Sequence, residues 1–595
     1  MIDPAAQQDL LERLHLPAAN LTTLSFCAQP TPAQVRTWIE SLPLTRINFV
    51  SAVLYSALPE LARLNTDGEI HLQLLEIVRP VAQSCIGALS HTFINQPLIL
   101  PAHAMKAATV AQALQKHLSN AYLGALRGTI NSKPQPENIA LAIHRTLTGF
   151  GLLLLRSYQL YTPAFKQLWV EIHTLYQLAE TYGVHQLQVR DPLQGHQQVR
   201  TIEQAYVRIL LLAAARPNQL RQQDMATVYQ ALETLSSQAR VVPYQTPSTQ
   251  HTYLALLDTA QPPIYHSRLE LYDSKEVRKL DTRELLYTLE QARAGRLELS
   301  LDSALVAHLI STLAQPAQRV FDRETRSGQL EVSIGLSNVH FHTAGGMPFT
   351  LFINPDSTVD TDNSLFQRHR LSLKPTADND TNPWGEAFDI QRPSLNKIEQ
   401  DTSALEEQIR LDSLARYRGQ HPIVTLDIVD ASASGYGLSL REQPGVALKS
   451  GELVCVREPG HSGWAIAVVR WVRRGKNHTY MGIQILAPQA QAAAVAIIQK
   501  TGDQTEYQRA LLLPALRMVA QPETLLTNAL SFQEHSKIKL LHEGQSSTVQ
   551  LTKRLLTTGT VSQFSFRQLA ASTEPPSHET NLTENSASWD ILPKN

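Results

Sequence analysis

Only three cysteines occur in 595 residues, and Cys27, Cys85 and Cys455 stand far apart with no Cys-x-x-Cys pair. That spacing excludes a disulfide framework and a zinc module, and it suits a reducing compartment. Net charge is nearly absent as well, since 52 Lys+Arg face 53 Asp+Glu to leave −1. No whole-molecule field draws such a chain to nucleic acid or to an anionic membrane, so any anion site must be a local cluster of cations. Aromatic residues are scarce at 6%, and no DNA partner is expected. The longest apolar runs, at 152–155 and 209–215, fall far short of the ~20 residues of a membrane helix. The polar start, Met1-Ile-Asp-Pro-Ala-Ala-Gln-Gln, lacks the basic and apolar regions of a secretory leader. Catalytic signatures are missing too. There is no Gly-x-Ser-x-Gly, no His-Glu-x-x-His and no kinase set, and Gly345-Gly-Met-Pro lacks the Gly-Lys-Ser/Thr and following helix of a phosphate loop. The expectation is a cytoplasmic protein with no membrane span, no metal, no cofactor and no enzymatic activity.

What is present is a folded, multidomain chain. Hydrophobic residues reach 43% and charged residues 18%, and the length exceeds what one core can organise. Residues 1–315 carry helical periodicity. Met225, Val228, Tyr229, Leu232 and Leu235 trace one face of a helix that Asp224 is placed to cap. Further helices are expected at 31–42, 46–64, 70–90, 105–127, 136–160 and 202–215, joined by short connections that favour stacked antiparallel neighbours. No fixed repeat period is found. Alternation replaces this pattern at 330–336 and 339–343, giving two expected strands. His340 and His342, two apart on the second, would then face the same way, and exposed strand polarity explains them better than a metal. Residues 355–420 are polar and turn-rich, read as an insertion or linker. Strands resume at 423–429, 437–440, 453–457, 464–472 and 479–485, in the rhythm of a small antiparallel barrel, and 488–500 reads as a closing helix. A small β-rich segment follows at 501–570, with β character at 510–513, 537–541 and 562–566. Residues 571–595 read as a disordered tail.

Three ordered features between 424 and 486 resemble the PilZ domain, a bacterial receptor module. Asp430-x-Ser432-x-x-Gly435 follows an apolar strand and leads into Tyr436-Gly-Leu-Ser-Leu. Ser450-Gly451 opens a strand through Val456. Val468-Val-Arg-Trp471 and Met481-Gly-Ile-Gln-Ile match the family's closing hairpin. The resemblance implies a PilZ-like β-barrel at 421–500 behind a helical bundle or solenoid-like region, hence a multidomain α + β fold. It also implies cyclic di-GMP as ligand. The family places an Arg-x-x-x-Arg before its Asp-Ser-Gly element, and here the match is Arg319-Val-Phe-Asp-Arg323, with Arg326 close by. Those arginines precede the strand at 330–336, so segment 316–354 would open the barrel and the insertion would interrupt it.

The chemistry explains why such residues would be wanted. A guanidinium offers parallel donors to guanine O6 and N7, or pairs bidentately with phosphate. Asp430 can accept guanine N–H groups, Ser432 supplies a small hydroxyl, and Gly435 either lets backbone approach the ligand or takes a positive φ. Plainer readings stand beside these. Asp430 and Ser432 stabilise turns through side-chain-to-backbone bonds, Gly435 and Gly437 serve turns, Arg319, Arg323 and Arg326 form a solvated linker face, and Trp464 and Trp471 pack the barrel. Two functions therefore remain open. One is a cyclic di-GMP effector whose helical half contacts a protein partner. The other is a ligand-free scaffold with a degenerate barrel, and the distance from the arginines to Asp430 separates them.

Overall fold

A computed structural model describes residues 4–96, 100–132, 135–193, 199–244, 252–314, 323–355, 419–441, 448–475, 478–499, 503–515 and 521–569. Helices α1 (Pro4–Arg13), α2 (Pro32–Glu40), α3 (Ile47–Ala62), α4 (Gly68–Phe93), α5 (Ala102–Asn131), α6 (Pro136–Gln159) and α7 (Lys166–Thr181) come first. Helix α1 packs on α7 and α2 on α4, while α5 lies against α3, α4 and α6. The hairpin β1 (Gln188–Arg190) and β2 (Val199–Thr201) leads to α8 (Ile202–Ala214), whose start carries a capping box between Thr201 and Gln204. Helix α9 (Gln222–Leu235) follows. Its N-cap is Arg221, so Asp224 stands inside the first turn instead of at the cap. Next comes a small antiparallel sheet of β3 (Arg240–Pro243), β4 (Tyr253–Leu256), β5 (Ile264–Tyr265) and β6 (Val277–Asp281), in the order β3-β6-β4-β5. Its strands are too short to print a period of two over the helical pattern around them. Helices α10 (Arg283–Arg293) and α11 (Ser303–Ala314) close this half.

By length and composition α6 is apolar enough to cross a membrane, yet 72% of its apolar window is buried in the protein. A helix that is hydrophobic on most sides and enclosed by others is a core helix. Its polar residues are held in a buried ionic network. Arg145 on α6 grips Glu76 through two 2.9 Å bonds, Tyr122 donates to Glu76 at 2.6 Å, and Arg79 forks onto Asp191 at 2.8 and 2.7 Å. Burial alone would raise the Asp191 carboxyl, but the Arg79 hydrogen bonds and the Arg145 charge hold it well below the usual range. The network thus ties α4, α5 and α6 to the β1–β2 hairpin.

The second half is two barrels. β7 (Glu324–Thr325) and β8 (Gln329–Ile334) precede α12 (Leu336–Thr343) and α13 (Phe349–Ile353). After residues 356–418 the chain continues through β9 (Val424–Ser432), β10 (Gly435–Arg441), β11 (Leu453–Arg457), β12 (Ala465–Arg474) and β13 (His478–Ala487). Strand β9 pairs with β8 on one side and β10 on the other, closing the ring β10-β13-β12-β11-β8-β9. Strands β14 (Gln491–Ile497), β15 (Gln508–Leu513), β16 (Thr524–Asn528), β17 (Lys537–His542), β18 (Gln545–Thr557) and β19 (Val561–Gln568) form a second closed barrel. The expected insertion at 355–420 and the tail at 571–595 lie outside the described residues apart from Pro355 and Gly419-Gln420.

Two sequence readings are corrected. Residues 336–343 form a helix, not a strand, because Gly335 at φ +91° turns the chain at the end of β8. His340 and His342 therefore diverge. His340 is buried and reaches the Ala493 carbonyl at 3.1 Å, whereas His342 reaches that of His421 at 3.2 Å. The expected helix at 488–500 is strand β14, paired to β15 and β17. Its run of alanines favours helix locally, but Ala492 to Ala496 are all buried between neighbouring strands, and tertiary pairing overrides propensity. The continuous apolar runs in β11 and β15 have a related cause. One face lines a barrel interior, while Leu453, Cys455, Leu511 and Leu513 join an apolar layer between the barrels. Burial there pushes the Cys455 thiol up to about 12, leaving it an inert core residue.

Four histidines are sealed in neutral form. Burial pushes His71, His173 and His340 down to about 4, and His144, also beside Arg145, down to about 3. The unfolded chain protonates such rings near pH 6.5, so their contribution is complete above that pH and drains away as pH falls toward 4. Urea unfolding from pH 7.5 to 4.5 should therefore show stability falling by several kcal/mol in order of magnitude; a midpoint unchanged across that range would contradict this.

Candidate functional site

The site is built where three pieces of chain meet on β9. On one edge β7 pairs Glu324 with Ala431 and Thr325 with Asp430, and β8 continues the same edge from Gln329 opposite Asp427. On the other edge β10 returns from a two-residue turn, so Ser432 faces Gly435, Ala431 faces Tyr436 and Asp430 faces Gly437. This register carries Arg323 to Asp430 across 107 residues of sequence, and the Arg323 guanidinium donates to Asp430 Oδ1. Both side chains are half-buried, at 27% and 34% exposure.

The remaining residues take distinct places. Arg326 lies on the same segment but turns to Glu458, beyond the end of β11, at 2.9 Å. Ser432 donates to the Gly435 carbonyl at 3.3 Å and lies 3.4 Å from the Ser434 hydroxyl, so it stabilises the turn as a local bond would. Gly435 has no positive φ; a Cβ there would collide with the Ile483 carbonyl of β13. Its bareness serves close strand packing. Arg319 lies outside the described residues. The separation of arginine from Asp430 expected for a ligand-free scaffold is thus not seen for Arg323.

Two contributors escaped the sequence reading. Gly437 is the floor of the site, since a Cβ there would strike Asp430 Oδ1 and come within 3.1 Å of Arg323 Nη1. A two-residue turn at 433–434 would have revealed this, because it sets Asp430 opposite Gly437. Glu458 had no sequence signal, as its pairing with Arg326 exists only once β8 lies beside β11. Next to Gly437, Gly482 of β13 is covered by the Trp471 indole of β12. One row across the barrel therefore runs Asp430, Gly437, Gly482, Trp471. Trp471 and Arg473 in turn share a cleft with Tyr158, Tyr161 and Asn218 of the helical half, and the Arg474 N–H donates to the Tyr161 carbonyl at 2.7 Å. Among the described residues no group of three His, Cys, Asp or Glu could hold a metal.

A six-stranded barrel with this Asp-x-Ser-x-x-Gly hairpin and an arginine segment laid against it defines a PilZ-type binding module. Comparison with known proteins agrees. Models of the cyclic-di-GMP receptor FimW match in succession, the N-terminal domain at 33–268, the middle PilZ domain at 253–492 and the C-terminal beta-barrel domain at 493–569. The curated cyclic-di-GMP receptor FimW of Pseudomonas aeruginosa is 33% identical over 582 residues, covering 93% of each chain. The chain belongs to the FimW family, a family of receptors rather than enzymes.

The two glycines separate fold from site. Gly435→Ala should cost about 1–3 kcal/mol through backbone overlap. Gly437→Ala, which meets only movable side-chain ends, should stay within about 0.5 kcal/mol of the parent. Thermal unfolding of both variants checks this, and equal losses would contradict it.

Proposed function

We propose that this protein is a cytosolic cyclic di-GMP effector that takes the dinucleotide on the outer barrel face at Arg323, Arg326, Asp430, Ser432 and Gly435, with Arg319 on the adjoining segment. The observation that carries the reading is the Arg323–Asp430 pair, which joins the arginine segment to the Asp-Ser-Gly hairpin. The curated relative's description as a cyclic-di-GMP receptor supports the ligand.

The energetics favour exchange. A half-exposed ion pair contributes only about 0–1 kcal/mol, so a ligand can replace it at little cost. A phosphate would take the Arg323 donors in a bidentate pair while Asp430 turns to guanine N–H groups. Because β7 is only two residues long, the arginine segment can reseat without opening the barrel. The row through Gly437 and Gly482 to Trp471 leads from this face to the helical half, and we assign that half the contact with a protein partner. Occupancy would then change how the two halves meet.

Isothermal titration of the full chain with cyclic di-GMP tests the proposal. Arg323→Ala and Asp430→Ala should each weaken binding by roughly 10–100-fold, the worth of one or two charge-assisted hydrogen bonds. Absence of heat with folded protein at high micromolar ligand, or unchanged affinity in both variants, would reject it.

A further inference from the structure

The helical half and both barrels converge on a second cleft, which shares no residue with the surface at 323–437. Its volume is about 480 Å³, and its walls come from all three units, within the size range of small-ligand sites. Each unit contributes one guanidinium: Arg221 from the start of α9, Arg470 from β12 and Arg554 from β18.

Two of these arginines carry a donor without an acceptor, although Arg554 Nη2 donates to the Phe532 carbonyl at 3.3 Å. The Nε donors of Arg221 and Arg554 are buried without a hydrogen-bond partner. Arg221 is the N-cap of α9 but makes no capping bond, and its guanidinium lies flat on Gly559, where a Cβ would come 2.5 Å from Cζ. Arg470, on β12, is exposed to solvent.

The Arg221 charge is partly offset by Asp224 and Glu452. Asp302 Oδ1 accepts the Leu305 N–H at 2.8 Å at the start of α11. Asp224 is pushed up by burial and accepts the Arg221 backbone N–H, and Glu452 behind the wall is also pushed up by burial. His308 is held on the Ala215 carbonyl at 2.8 Å and lowered by burial, so it carries no charge at neutral pH. Three guanidiniums against two lining carboxylates leave the cleft cationic, and the first turns of α9 and α11 both open into it, adding the positive ends of two helix dipoles.

We infer that this cleft binds a small phosphate-bearing ligand of nucleotide size, which clamps the helical half to both barrels. Phosphate oxygens are the acceptors that guanidinium groups lining a cleft would take, and Arg221, Arg470 and Arg554 line this one from three separate units. The inference does not rest on cyclic di-GMP binding at Asp430.

Thermal unfolding of the full chain with inorganic pyrophosphate, ATP and cyclic di-GMP as separate probes tests it. Pyrophosphate should raise the melting temperature saturably, by a few degrees at ligand well above Kd. Arg470→Gln and Arg554→Gln should each weaken that effect by roughly tenfold or more, and Asp430→Asn should leave it intact. In the Asp430→Asn background, stabilisation by cyclic di-GMP that Arg470→Gln removes would identify the occupant as a second dinucleotide, whereas stabilisation by ATP alone would identify a mononucleotide. No saturable shift with any of the three probes, or equal shifts in parent and both arginine variants, overturns the inference.

Discussion

Strand β9 carries more of this molecule than any other element. It is hydrogen-bonded to β8 from one side of residues 356–418 and to β10 from the other, so the barrel closes only when chain separated by about ninety residues comes together. Closing a longer loop costs only ~0.6 kcal/mol per doubling, while Leu330 and Val332 of β8 bury beside Leu426 and Ile428 of β9 in one core. Burial outweighs the extra length. The same closure delivers Arg323 to Asp430, so fold and candidate site are one event.

The barrels are also not independent beads. The middle barrel's interior belongs to the same contiguous core as the helical half, and an apolar layer joins it to the C-terminal barrel. Thr560 donates to the Gly451 carbonyl at 2.7 Å, and Gly451 at φ +78° packs against Thr558. The middle barrel therefore has solid neighbours on two sides. The cationic cleft sits where those neighbours meet, so anything bound there would set the stiffness of the joint.

Much of the architecture was legible from residues alone. The amphipathic periods located α2 to α6 and α8 to within a few residues, and alternation located β9 to β13. The Asp430–Gly435 element marked the hairpin, and Arg323, sought before the strand at 330–336, pairs with Asp430. The failures share a cause. At 336–343 a chance alternation of Val339 and Phe341 imitated a strand, and at 491–497 five small residues imitated a helix. Local pattern reports what a segment prefers in isolation; the first segment packs on the second barrel and the other is one of its strands, and the pattern contains neither fact.

The sequence by itself determined a near-neutral, helical-then-β protein with a PilZ-like hairpin, because composition, periodicity and short motifs are local properties. Only the tertiary structure decided that Arg323 meets Asp430 and Arg326 meets Glu458. It also gave Gly435 to close strand contact rather than to a turn conformation, and drew Arg221, Arg470 and Arg554 together from three units. Those facts depend on register and on packing between distant segments, and a one-residue slip in β9 would have turned Asp430 to the opposite face.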